Sequence, residues 1–132
     1  MTAPAAEEIR AELKGAREQL QAARLLFEKH LVSQAVSAAY YGIFHAARAA
    51  LWTRGKTTRT HRGLSMLFHE EFIKTHVLEP EYRIILDRSR DQREKADYDL
   101  IHYDKDAEEV QSYLQDAERF VKKINELIRE SK

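Results

Sequence analysis

An arginine, a carboxylate and a tyrosine lie close together at Arg93, Asp97 and Tyr98, in a helix-forming segment. Helical steps of three and four residues return to one face, so Arg93 and Asp97 are expected one turn apart and in reach of each other. A guanidinium fixed in a polar groove can bind phosphate or polarise a scissile bond, with Tyr98 as an orienting hydroxyl. The alternative is a plain intrahelical ion pair. Leu86 on the same helix stripe belongs in a core, so Arg93 lies at the edge of that core and needs a partner, which Asp97 supplies.

A second group of candidates lies in the basic segment TRGKTTRTHR, residues 53–62, which contains four Lys or Arg and no acid. Lys56, Arg59 and His61 are predicted to bind a nucleotide or RNA, because His61 lies at a helix start, where free backbone N–H groups attract anions. The alternative is a solvated polar loop with a surface or capping histidine. Arg48, an arginine among alanines, either reaches the surface or lines the same polar groove.

Composition restricts the class of protein. The chain has 132 residues and no cysteine, and its 22 basic residues balance 22 acidic ones. This length is typical of one domain with its own core, and the lack of cysteine excludes disulfides and cysteine nucleophiles. The N-terminal segment is acidic where a secretory signal needs an apolar stretch, and the longest apolar stretch is alanine-rich and interrupted by Arg48. We therefore expect a cytoplasmic protein that does not enter a membrane.

The six histidines lack the spacing of a metal site. None has a glutamate three positions before it, as a di-iron helical bundle requires, and the run Phe68-His69-Glu70-Glu71 does not provide two histidines four residues apart. We therefore expect neither a metal nor another cofactor.

Hydrophobic periodicity predicts that the candidate residues lie on helices. The predicted segments are 5–29, 33–52, one capped by Thr60 and ending near Thr75, one opened by Pro80, and one starting at Asp104 or Asp106. The second segment is apolar nearly all round, so it should be central, with Ser33 as its cap and Gly55 just past its end. The expected fold class is all-α, an up-and-down bundle of four to five helices.

Three runs of residues resemble the small prokaryotic branch of the HEPN domains. They are AYYGIFHAARA at 39–49, THRGL at 60–64, and Arg-x-x-Ala-Asp-Tyr-Asp at 93–99. The resemblance extends over about residues 20–121 and implies a single HEPN-like helical domain across residues 1–132. It also implies a homodimer and, as a partner, a minimal nucleotidyltransferase antitoxin in a toxin–antitoxin or defence module.

Many HEPN proteins are metal-independent ribonucleases whose signature is an arginine followed, after four to six residues, by a histidine. Here Asp97 and Tyr98 stand where that histidine would begin, and His102 comes later. RNA cleavage without a metal needs a base, an acid and a cation, and a carboxylate beside an arginine is a weak base. The sequence therefore favours an HEPN protein that binds a nucleotide, RNA or a partner. The alternatives are an active ribonuclease, with Arg93 holding phosphate and Asp97 or His61 carrying the proton, and a purely structural bundle.

Overall fold

The computed structural model describes residues 3–98 and 106–130, and within them every regular element is a helix. The elements are α1 (Ala3–Glu28), α2 (Val32–Trp52), α3 (His61–Phe68), α4 (Glu81–Tyr98) and α5 (Ala107–Glu130), with one π-helical turn, His69–Ile73, extending α3. The all-α bundle expected from the sequence is confirmed. Asp99, His102 and Asp104 lie outside the described residues.

The second helix is the centre of the bundle. It packs against each of the other four α-helices. Its alanines let those neighbours approach closely, and Ala46, Ala47 and Ala50 have no exposed surface. The predicted central position of this segment is therefore confirmed.

Three phenylalanines fix α3 against the rest of the core. The ring of Phe68 lies 5.5 Å from that of Phe72 and 5.6 Å from that of Phe120 on α5, and all three are almost fully buried. Aromatic side chains of this size contribute strongly to core packing. Because they anchor the C-terminal end of α3, they also hold its first turn, where His61 lies, in place.

The predicted end of α2 is observed. The backbone N–H of Lys56 donates to the carbonyl of Leu51, and that of Gly55 donates to the carbonyl of Trp52, both at 3.0 Å. Gly55 has φ 69°, the left-handed conformation that a helix end of this type requires and that glycine adopts without strain. His30 has φ 64° just after α1, and no glycine marked that end in the sequence.

The helix starts agree with the sequence in two cases and differ in one. Thr60 accepts the backbone N–H of Gly63 at 3.0 Å, and Asp106 accepts that of Glu109 at 2.8 Å, so both cap their helices. The prediction that Ser33 caps α2 is wrong. The link after α1 is so short that Ser33 already lies in the first turn of α2, and its hydroxyl donates to the side chain of Gln34.

Candidate nucleic-acid-binding site

Arg93 lies across two tyrosine rings of α2. Its guanidinium carbon is 5.1 Å from the ring centroid of Tyr40 and 5.6 Å from that of Tyr41. Its Nη1 donates to Asp97 Oδ2 at 3.0 Å and to the Tyr41 hydroxyl at 3.3 Å. The intrahelical ion pair that the spacing predicts is present, and cation–π packing on two rings adds a second constraint on the guanidinium.

His61 is held at both ring nitrogens. Its Nδ1 lies 3.0 Å from the Tyr40 hydroxyl, and its Nε2 lies 3.1 Å from Asp87 Oδ1. Because a carboxylate only accepts hydrogen bonds, we assign the ring proton to Nε2, and Nδ1 then accepts from the Tyr40 hydroxyl. Burial lowers the pKa of His61, and the hydrogen bond to Asp87 opposes this shift without reversing it. The neutral imidazole is therefore the favoured form.

Asp87 interacts with other donors besides His61. The Ser65 hydroxyl donates to its Oδ1 at 2.7 Å, and Arg83 Nε lies 3.5 Å from its Oδ2. Arg83 Nε also donates to the Ser65 hydroxyl at 3.3 Å. Ser65 and Arg83 thus fix the position of Asp87 beside His61, and burial remains the main cause of the lowered pKa of His61.

Tyr40 connects His61 to Arg93. Its side chain is buried, and burial raises its pKa to about 12 although the charge of Arg93 acts in the opposite direction. The hydroxyl therefore keeps its proton near neutral pH and remains the donor to His61. One tyrosine thus has its ring face against the arginine and its hydroxyl against the histidine.

A surface groove of about 500 Å³ opens beside this junction, between α3 and α4. We call it the His61 groove; its polar lining comprises His61, Arg62, Ser65, Arg83, Asp87, Arg90 and Asp91. Arg62 is exposed and pairs with no acid in the described part of the chain. Arg90 pairs with Glu94, four residues later, at 3.0 Å. Three arginines against two aspartates give the groove a basic excess.

Comparison with known proteins decides the family. The family model of the HEPN domain matches residues 9–127, which is most of the chain. The chain belongs to the HEPN family. It is 39% identical over 125 residues to the protein named "Putative toxin MJ0605" of Methanocaldococcus jannaschii, covering 94% of this chain and 91% of the relative. The chain is 31% identical over 118 residues to a UPF0332 protein of Thermotoga maritima, covering 89% of this chain and 88% of the relative. It is also 31% identical over 126 residues to a UPF0332 protein of Archaeoglobus fulgidus, covering 96% of this chain and 99% of the relative.

The start of α3 in this HEPN chain depends on a glycine. A Cβ on Gly63 would collide with the side-chain oxygen of Thr58 and lie 3.0 Å from that of Thr60. The lack of a side chain therefore lets both threonines fold over the first turn of α3. This packing sets the position of His61 and gives a physical reason for the glycine in the run THRGL.

Other residues predicted for the site have different partners. Lys56 pairs with Glu71 of the π-helical turn at 2.8 Å, a hydrogen bond that lowers the pKa of Glu71. Arg59 is exposed and makes no ion pair among the described residues. Tyr98 has 91% of its surface exposed. Of the predicted set, the structure brings together Arg93, Asp97 and, through Tyr40, His61.

Arg48 is engaged away from Arg93. Its Nε lies 2.8 Å from Glu12 Oε2, an ion-pair distance without the orientation of a hydrogen bond, and His45 Nδ1 lies 2.9 Å from Glu12 Oε1. Glu12 is 8% exposed, so the two basic side chains enclose an almost buried carboxylate between α1 and α2. The sequence allowed Arg48 either to reach the surface or to line the same polar groove as Arg93, and the structure does not place it in that groove.

Sequence analysis missed Asp87, Ser65 and Arg83. Weak signals were available, because Ser65 follows His61 by four residues and Asp87 follows Arg83 by four, so each pair shares a helix face. What the sequence does not reveal is that these two faces point at each other. No three histidine, aspartate or glutamate side chains in residues 3–98 and 106–130 converge as metal ligands, and no helix there is long and apolar enough to cross a bilayer.

Proposed function

We propose that this HEPN protein is the toxin-like component of a toxin–antitoxin or defence module and binds RNA or a nucleotide through its phosphate groups. The name of the relative from Methanocaldococcus jannaschii supports the toxin-like role. In this proposal the chain acts as a homodimer, and a minimal nucleotidyltransferase is its antitoxin partner. The homodimer and the nucleotidyltransferase partner are both inferred from the family resemblance.

The observation that carries the proposal is the junction of Arg93, Tyr40 and His61. The two tyrosine rings hold the Arg93 guanidinium in a fixed orientation, which reduces the entropy lost when it binds an anion. Asp97, its present partner, is 44% exposed and can turn away when a phosphate competes for the arginine. Arg62 in the adjoining His61 groove, and Arg59 in the bend just before α3, supply further cations for a phosphate backbone.

Binding without cleavage is the preferred mode. Metal-free cleavage of RNA needs a group that takes the proton of the ribose 2′-hydroxyl and a group that protonates the leaving oxygen. Both ring nitrogens of His61 are occupied by Tyr40 and Asp87, and the Asp97 carboxylate is occupied by Arg93. In this arrangement His61 stabilises the site, and Arg93 binds the ligand.

A second candidate function is a metal-independent ribonuclease. It is favoured by the chain from Asp87 to His61 to Tyr40, because a carboxylate that fixes the tautomer of a histidine is a common device in proton-transfer sites. Arg93 would then hold the phosphate, Asp97 or a released His61 would carry the proton, and Tyr98 would orient the substrate.

The test is binding of a labelled single-stranded RNA at rising salt concentration. We expect affinity to fall steeply with salt, because phosphate contacts release counterions, and to fall at least about tenfold in Arg93→Ala. The matched control is Arg88→Ala, which removes an arginine of the same helix whose partner is Asp116 of α5. An equal loss of RNA affinity in both variants would mean that Arg93 acts only through its charge and not through a specific contact. A parent that does not bind RNA at low salt would overturn the proposal.

A further inference from the structure

A second pocket adjoins the two residues to which Arg93 donates hydrogen bonds. It has a volume of about 270 Å³ and is lined by Gln19 of α1, by Ser33, Gln34, Ser37 and Tyr41 of α2, and by Asp97 of α4. We call it the Tyr41 pocket. Tyr41 and Asp97 are the two residues to which Arg93 donates hydrogen bonds. Arg93 therefore contacts two residues of this pocket directly, and it reaches the His61 groove through Tyr40, which contacts both Arg93 and His61.

The charge of the Tyr41 pocket differs from that of the His61 groove. Among the described residues that line it, the ionisable side chains are only the Tyr41 phenol and the Asp97 carboxylate, and Asp97 is paired with Arg93 at 3.0 Å. The other polar groups are two amides and two hydroxyls. Such a lining does not attract phosphate, since it offers no cation, and it suits an uncharged ligand that forms many hydrogen bonds.

The hydrogen-bonding groups of this pocket include both donors and acceptors. The Ser33 hydroxyl donates to Gln34 Oε1 at 3.0 Å, a bond that does not use the N–H groups of the Gln34 amide. The Gln19 amide and the Ser37 hydroxyl each offer a donor and an acceptor. Donors and acceptors placed side by side match the edge of a nucleobase, which carries both.

Tyr41 supplies the remaining element of such a site. Its side chain is 37% exposed although the residue lies in the central helix, and Arg93 holds its hydroxyl group from the α4 side. Exposed aromatic rings are the platforms on which proteins stack the bases of single-stranded RNA. A base on this ring would have its edge towards the glutamines and serines and its phosphate towards Arg93.

We propose that the Tyr41 pocket binds one unpaired nucleobase and gives the protein its base preference. The inference rests on the proposed function, because it makes Arg93 the phosphate contact of the same nucleotide. It assigns the substrate class more narrowly, to single-stranded RNA with an unstacked base, because a base that is stacked within a duplex cannot lie against the Tyr41 ring.

The experiment compares short homopolymers of adenylate, uridylate and cytidylate at one salt concentration. We expect the parent to prefer one base by about tenfold or more, as two good hydrogen bonds to a base edge provide. In Gln34→Ala combined with Ser37→Ala this preference should fall to about twofold or less, while the salt dependence stays unchanged because Arg93 is intact. Gln115→Ala, an exposed glutamine of α5, is the control and should keep the preference.

Two variants of Tyr41 separate stacking from hydrogen bonding. Tyr41→Phe keeps the ring and should retain base preference, whereas Tyr41→Leu should weaken binding of every homopolymer about tenfold. An equal affinity of the parent for all three homopolymers, with binding still lost in Arg93→Ala, would overturn the pocket assignment and leave the proposed function standing.

Free nucleosides give a test that does not need phosphate binding. Titration of adenosine, uridine and cytidine at millimolar concentration, followed by NMR, should shift the resonances of Tyr41 and Ser37 for the preferred base. If the parent fails to bind RNA but these shifts occur, the pocket is retained and the phosphate site is wrong. If no nucleoside shifts them, the assignment of the pocket is wrong whatever the RNA result.

Discussion

The Tyr40 hydroxyl donates to His61 Nδ1 at 3.0 Å, so one hydrogen bond joins the central helix to the first residue of α3. The same tyrosine ring lies against Arg93. A change at any of these three side chains therefore affects the other two, and variants at this junction need a measurement of stability beside each measurement of binding.

The first prediction concerns the pH dependence of stability. The pKa of His61 is lowered in the folded chain from its ordinary value of 6.5, so the unfolded chain binds the proton more readily. Stability contributed by the neutral imidazole is complete above pH 6.5 and is lost as the pH falls through 6.5 towards the lower folded value. Burial is the main cause of the lowered pKa of His61. Asp87 and Asp91 of α4 oppose it, Arg90 of α4 adds to it, and Tyr40 donates to the ring from α2.

Urea unfolding at about pH 7.5 and about pH 5.5 measures this effect. We expect the parent to lose more free energy of unfolding between these values than His61→Gln does, because glutamine does not titrate. His30→Gln, which changes an exposed histidine after α1, should behave like the parent. An identical pH dependence in the parent and His61→Gln would contradict the prediction.

The second prediction concerns what Arg93 contributes to folding. Asp97 is 44% exposed, so the ion pair itself is screened by water, and Asp97→Asn should cost about 0.5 kcal/mol or less. Arg93→Ala also removes the packing on Tyr40 and Tyr41, and should cost about 1–2 kcal/mol. Denaturant unfolding of both variants checks the order. An equal cost for the two would mean that the rings contribute nothing.

The third prediction concerns the first turn of α3. Thr60→Ala removes the cap on Gly63 and should cost about 1 kcal/mol. Gly63→Ala should cost at least as much, because its Cβ would displace Thr58 and Thr60 together. The hydrogen bond between His61 and Tyr40 should weaken in Gly63→Ala, which NMR of the His61 ring protons would detect.

Gly55→Ala is the control for this prediction. No atom outside its neighbours lies within 4 Å of a Cβ placed there, so its cost comes from the left-handed backbone alone, about 1 kcal/mol. It should leave the resonances of His61 unchanged. If Gly55→Ala alters them as strongly as Gly63→Ala does, the effect is not local to the threonine cap.

Local rules explain the parts of this fold that the sequence predicts. Periodicity identifies the helices, and the conformational freedom of Gly55 and the hydroxyl of Thr60 mark two of their boundaries. The pair of Arg93 and Asp97 needs only four-residue spacing on one helix. The prediction that Ser33 caps α2 is wrong because the start of α2 depends on how the link after α1 folds. That fold is not a property of the serine itself.

The parts that the sequence does not predict depend on packing between helices. His61 bonds to residues 21 positions before it and 26 positions after it. Arg48 and Glu12 meet across the contact of α1 with α2. No spacing rule selects such partners, because each pair requires the rotation of two helices about their axes. The polar groups of the candidate site therefore appear in the sequence as separate residues without a visible partner.

The fourth prediction concerns the homodimer. The apolar residues of α2 and α5 are largely buried within the chain, so these helices offer little apolar surface to a second copy. The exposed apolar side chains include Met66 and Ile84, each more than half exposed, and Met66 borders the His61 groove. We expect sedimentation to give twice the 15.4 kDa of one chain.

Variants locate the contact that this dimer uses. Met66→Glu combined with Ile84→Glu should shift the protein towards monomer, because a charge in an apolar contact is costly. Leu25→Glu, at a similarly exposed residue of α1, should leave the dimer intact. A parent that sediments as a monomer at micromolar concentration would contradict the prediction.

The last prediction separates the two candidate functions. In the binding mode, the parent binds labelled RNA and leaves it intact, and Asp87→Asn or His61→Gln alters stability more than affinity, because neither residue is the ligand contact. In the ribonuclease mode, the parent cleaves RNA in the presence of a chelator, Arg93→Ala loses binding and cleavage together, and His61→Gln or Asp97→Asn loses cleavage while it retains binding. Gel analysis of a single labelled RNA beside an anisotropy titration distinguishes these patterns. Because both ring nitrogens of His61 already have partners within the chain, we expect the parent to bind RNA without cleaving it. Cleavage that persists with a chelator and is abolished in His61→Gln would contradict this expectation. It would show that the imidazole leaves Tyr40 when RNA is bound.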